Sequence, residues 1–228
     1  MDRVRLLVAA ASLLTMSAGP AFALDQSDLD KPLANFATDE QGDFLAVCRA
    51  LHTGCGAEVI DGVESLASKN SPLPRAGRTA REILDEYLAT RPHDVWSLED
   101  GVLNLRPRTT PSPDWLSKKI GAVTLRKIDG YQAALALLRA TGASLGVRMR
   151  KAPALKTADL ALKNATVRQG LNALAKADGE FVWIVIHTGP SQPWKLVFEP
   201  ISFREDPPGA LNGANAEFLK VTERPVRE

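Results

Sequence analysis

Three histidines, His52, His93 and His187, and two cysteines, Cys48 and Cys55, are the residues of this chain best suited to acid–base, nucleophilic or metal chemistry. Acid–base and nucleophilic catalysis need a positioned side chain, most often a histidine, within hydrogen-bond reach of its partner. No serine stands in a G-x-S-x-G elbow, and no H-E-x-x-H run occurs. The adjacent carboxylates Asp85-Glu86 and Glu99-Asp100 are pairs that helix surfaces and turns carry routinely. Without a C-x-x-C or a Cys/His cluster, neither a metal site nor a redox role is expected. We therefore expect no catalytic residue, no metal and no cofactor. A hydrolase would instead require a cleft that gathers a histidine with a carboxylate.

The cysteines depend on the compartment. Arg3 and Arg5 precede an apolar run from Leu6 to Met16, and Ala21-Phe22-Ala23 has the small-residue pattern of a cleavage site. Residues 1–23 thus read as a secretory signal peptide, cut near Ala23, which leaves a periplasmic or secreted protein. Export permits a disulfide between Cys48 and Cys55. The plainer alternative is that Cys48 is a small buried apolar residue.

The chain carries 28 basic and 27 acidic side chains, and without Asp2, Arg3 and Arg5 it is formally neutral. Neutrality argues against a nucleic-acid partner, which needs clustered positive charge. After residue 23 no run approaches the ~18 apolar residues of a membrane span, so none is expected in the mature chain.

The elements that would position these residues are announced by an internal repeat. Thr79, Arg81, Leu84, Val95 and Trp96 recur as Thr166, Arg168, Leu171, Val182 and Trp183, every pair 87 residues apart. Thr79 with Glu82 makes a helix-opening capping box, and Thr166 opens the corresponding helix. Each helix leads to a hairpin, the first through Asp100-Gly101. Upstream, Phe44, Val47, Cys48 and Leu51 form one helical stripe, and Ala57–Ile60 reads as a strand. Tyr131, Leu135 and Leu138 give the counterpart stripe, with strands at Ala122–Ile128, Leu145–Met149 and Ala158–Leu162. Phe181–Ile186 is apolar at both alternations, as a central strand covered on both faces would be.

The fold expected is α+β: two repeated small modules of βαβ-type units, with helices packed on a short sheet. The modules span 33–107 and 122–201, joined by a Pro/Thr/Ser-rich linker at 108–121 and followed by a disordered tail at 202–228. Trp96 and Trp183 are expected to anchor sheet to helix, and the recurring Arg81 and Arg168 to be salt-bridge or surface residues. The second hairpin loop is longer, and Pro190, Ser191, Gln192, Pro193 and Trp194 make it a possible interaction loop.

Leu160, Leu162, Asn164, Thr166, Val167, Leu171 and Leu174, followed by the aromatic strand at Phe181–Ile186, resemble the short N-terminal domain of secretins and TonB-dependent receptors. The first copy keeps only the threonine of the Lys163-Asn164-Ala165-Thr166 turn, with Gly77 in place of the asparagine. The resemblance implies an α+β fold and a periplasmic module that docks on protein partners. The function expected is accordingly a non-enzymatic protein-interaction module of the bacterial envelope, its envelope-protein partner unidentified. The alternative is a small-molecule or cell-wall-polymer binder with a cleft near Pro107–Pro113.

Overall fold

The computed structural model describes residues 24–33, 36, 43–60, 77–109, 114–141, 146–149, 157–179, 181–187, 195–200 and 218–220. A 3-10 turn at Asp28–Asp30 precedes helix α1 (Asp43–Ala50), whose Phe44, Val47 and Cys48 stripe is buried. Strand β1 (Cys55–Ile60) begins two residues before the apolar run predicted it. Helix α2 (Ala80–Ala89) opens on the expected capping box: the Thr79 hydroxyl accepts from Glu82 N, and the Glu82 carboxylate accepts from Thr79 N. The hairpin of β2 (Asp94–Glu99) and β3 (Val102–Pro107) turns on Asp100 and Gly101, both at positive φ as the tight turn requires. Strand β4 (Val123–Asp129) runs directly into α3 (Gly130–Thr141), followed by β5 (Gly146–Met149) and β6 (Thr157–Leu162). Thr166 and Gln169 close a second capping box on α4 (Val167–Asp178). Then come β7 (Phe181–His187), β8 (Lys195–Pro200) and β9 (Phe218–Lys220).

Among the described residues the strands form a mixed seven-stranded sheet in the order β2-β3-β1-β7-β8-β5-β9, and β4 pairs antiparallel with β6 in a separate two-stranded sheet. Helices with a mixed sheet make the fold α+β. The main sheet is continuous because β1 pairs parallel with β3 on one side and parallel with β7 on the other. The strand order repeats: β2-β3-β1 in the first half is matched by β7-β8-β5 in the second, each a hairpin plus one parallel strand. Side-chain alternation then makes two cores. Cys55, Ala57, Val59, Leu103, Leu105, Val182 and Ile184 pack with α1 and α2 on one face. Phe181, Trp183, Val185 and Leu196 pack with α3 and α4 on the other. Every residue of β7 is buried, as its unbroken apolar run predicted.

Two expectations differ from what is observed. The stretch expected to be a linker is packed: Leu116 and Ile120 are buried, and Arg168 N donates to Leu116 O while Ile120 N donates to Ala165 O. Leu29 and Leu33, 87 residues earlier, are buried likewise, so the first core begins before residue 33. Apolar spacing overrode the Pro/Ser composition. Within the stretch expected to be a disordered tail, Phe218–Lys220 forms β9, antiparallel on β5. The edge of β5 offers backbone groups that any extended segment can pair with. Finally, Pro107 is buried at the end of β3, and 110–113 lie outside the described residues, as do the expected signal peptide and the 190–194 loop.

Cys48 and Cys55 form a disulfide, with Cα atoms 6.2 Å apart and both residues fully buried. It ties the end of α1 to the start of β1, the strand shared by both halves. Closing so short a loop contributes about 2.5 kcal/mol on the chain-entropy account. The Cys48→Ala/Cys55→Ala variant is expected to lose about that much in urea unfolding, and an unchanged midpoint would refute the assignment.

Tyr87, on the buried face of α2, lies under the Arg91 guanidinium at 5.2 Å. Burial pushes its phenol from 10.0 up to about 12. The unfolded chain therefore loses the proton first, and stability falls as pH rises from 10 through about 12. The full loss is of order 2–3 kcal/mol. Alkaline absorbance titration should show one tyrosine ionising late, and Tyr87→Phe should abolish that phase.

Candidate functional site

The charged groups gather where β1 meets β7. Glu58 stands in an otherwise apolar strand, opposite Val185, and Ile60 stands opposite His187. Alternation puts Glu58 and His187 on the face covered by α4. Arg168, in the first turn of α4, reaches down to that strand: its Nε donates to Glu58 Oε1 at 3.1 Å, and its Nη2 donates to the same oxygen. His187 Nε2 lies 3.6 Å from Glu58 Oε2. Side-chain exposure is 2% for Glu58, 4% for His187 and 12% for Arg168. A guanidinium with a carboxylate forms a strong, geometrically specific ion pair, and here the two partners come from different halves of the chain.

Beside this cluster sits a close approach of backbone to ring. Gly56 lies opposite Trp183, and a Cβ at Gly56 would come within 2.1 Å of the Trp183 ring. Only glycine lets β1 pass there. Trp183, fully buried, donates through Nε1 to Asn172 Oδ1 of α4 at 3.1 Å. This is the sheet-to-helix anchor expected of it.

A similar set of side chains lies at β2 in the first half. Trp96 donates to Asp85 Oδ1 at 2.9 Å, again to the residue 11 positions back. Arg81, in the first turn of α2, lies 5.4 Å over the Trp96 ring. Its Nε donates to Asp30 Oδ1 at 2.6 Å, and its Nη2 donates to Gln26 Oε1 at 3.0 Å. The bond from Arg81 holds the Asp30 carboxyl below its ordinary value. Pro32 bridges Thr79 just as Lys119 bridges Thr166. Strand β2, however, has β3 on one side and no described neighbour on the other. In a hairpin with a two-residue turn the flanking Glu99 and Val102 exchange both bonds, so Trp96 and Leu98 direct N–H and C=O outward.

The sequence-predicted residues are therefore divided. The two arginines are salt-bridged as expected, Arg168 to a buried carboxylate and Arg81 to an exposed one. The histidines are scattered: His52 and His93 are exposed, and among the described residues only His187 meets a carboxylate. That pair is what the hydrolase alternative asked for, but it is sealed between β1, β7 and α4. Glu58 was missed. Its signal was a lone acid in an apolar strand, and nothing local ties it to an arginine 110 residues away. Among the described residues no group of three or more His, Cys, Asp or Glu side chains is placed to hold a metal. No described helix is long and apolar enough to cross a membrane. No family model matches this chain, and no curated protein or solved structure matches it either.

Proposed function

We propose that this chain is an exported, non-enzymatic protein-interaction module of the bacterial envelope, made of two repeated α+β modules that dock a partner by strand addition at β2. The observation that carries the reading is the open edge of β2, a six-residue strand paired on one side only among the described residues. Unpaired edge groups favour an added strand because each new backbone bond removes an exposed donor or acceptor. The disulfide suits an oxidising compartment. The resemblance of the stretch from Leu160 to Ile186 to periplasmic docking domains points to the same role.

A photo-crosslinker at Ser97 is expected to capture a discrete envelope protein, and Leu98→Pro, which removes one outward N–H, is expected to release it. Capture that Leu98→Pro leaves unchanged, with the fold intact by circular dichroism, overturns the reading.

A further inference from the structure

The protein contains its own example of a strand added to such an edge. At the joint, β7 takes β1 in parallel, with Gly56 opposite Trp183 and Glu58 opposite Val185. Arg168 on the helix above clamps the carboxylate. Counting back 87 residues, Trp183 becomes Trp96, Val185 becomes Leu98 and Arg168 becomes Arg81. The scaffold holding these three is the same in both halves: a threonine-capped helix, a tryptophan bonded to it, and an antiparallel bridge at the capping threonine. Among the described residues, β2 lacks only the added strand.

We infer that the edge of β2 binds an extended acidic peptide segment in parallel, with a glycine or similarly small residue opposite Trp96 and an Asp or Glu two residues later, opposite Leu98, clamped by Arg81. This rests on the docking reading above and sharpens it to a register and a charge. The small residue is needed because the ring of an edge tryptophan covers the neighbouring strand, as Trp183 covers Gly56. The acid is needed because Arg81 stands where Arg168 stands. Its side chain is 35% exposed and its present partner Asp30 is 58% exposed. A water-exposed carboxylate is a weak holder and exchanges readily for one presented by a docked strand.

Strand β5 of a second copy does not satisfy the rule. Strand β5 is the counterpart of β1, since it pairs with Leu196 of β8 through Val147 as β1 pairs with Leu103 through Cys55. Arg148 then falls at the position of Gly56. A long cation replaces the required small residue, and β9 already lies on the far side of β5.

The probe is a labelled peptide of the β1 sequence, Gly54–Ile60 with Cys55→Ser, followed by fluorescence anisotropy against the intact protein. Binding is expected, weakened at least about tenfold by Glu58→Lys in the peptide or by Arg81→Glu in the protein. The two reversals together are expected to restore affinity to within about threefold of the original pair. Gly56→Leu in the peptide should weaken binding similarly. Absence of binding to the wild-type protein, or equal affinity across the four charge combinations, overturns the inference. If the envelope partner is still released by Leu98→Pro in that case, edge docking stands and only the register and charge rule falls. If neither effect is seen, both fall.

Discussion

Arg168→Ala is expected to destabilise the protein by about 3–5 kcal/mol, the cost of removing one partner from a buried ion pair. Glu58 is 2% exposed, so the carboxylate left behind cannot recover its hydration without opening the β1–β7 joint. His187 does not replace the guanidinium, because Arg168 donates twice to one carboxylate oxygen while His187 lies 3.6 Å from the other. Burial also makes the pair weak evidence of net stabilisation. The attraction between the charges must offset the dehydration of both, and an apolar replacement of similar volume often does as well. Glu58→Met/Arg168→Met is therefore expected to recover most of the loss. Urea unfolding of the single and double variants gives the coupling. A loss below about 1 kcal/mol for Arg168→Ala would place the pair among ordinary surface contacts. Arg81→Ala supplies the contrast: its partner is exposed, and the expected change in stability is within about 1 kcal/mol.

The second large effect is expected at Trp183. Trp183→Ala should cost about 3–5 kcal/mol, through the cavity left by a fully buried indole. It also takes away the donor that Asn172 Oδ1 accepts. The opposite error is instructive. Gly56→Ala would place a methyl 2.1 Å from the same ring and is expected to cost at least about 1–3 kcal/mol, because neither β1 nor a buried Trp183 has room to shift. The two defects are complementary in volume. Gly56→Ala/Trp183→Leu should therefore be less destabilised than the sum of its single variants. Additive costs would mean that ring and glycine do not share one space. Thermal or urea unfolding of the set decides it.

Chemistry confined to a few neighbouring positions was legible in the sequence. Thr79 with Glu82 specified a capping box, and Asp100-Gly101 specified a tight hairpin turn. The seven-residue separation of Cys48 and Cys55 allowed a disulfide once the compartment was granted. The apolar run of β7 required cover on both faces. Each follows from local geometry: a cap needs an acceptor at one position, and a tight turn needs residues that tolerate positive φ. The 87-residue offset also announced that whatever held Trp96 would have a counterpart at Trp183. Composition was a poorer guide. It suggested a linker where Leu116 and Ile120 are buried, because two apolar residues at the right spacing outweigh a Pro/Ser-rich setting.

Which strand lies beside which was decided by tertiary structure alone. The sequence carries Glu58, Arg168 and His187 as three unrelated residues, and only the β1–β7 pairing turns them into one cluster. A strand edge has no residue signature, since the groups that pair are backbone N–H and C=O and are the same in every non-proline residue. The sequence alone thus determined the caps, the tight turn and the two tryptophans that bond to their helices. The fold decided that β7 would lie between β1 and β8, while β2, among the described residues, has β3 alone beside it.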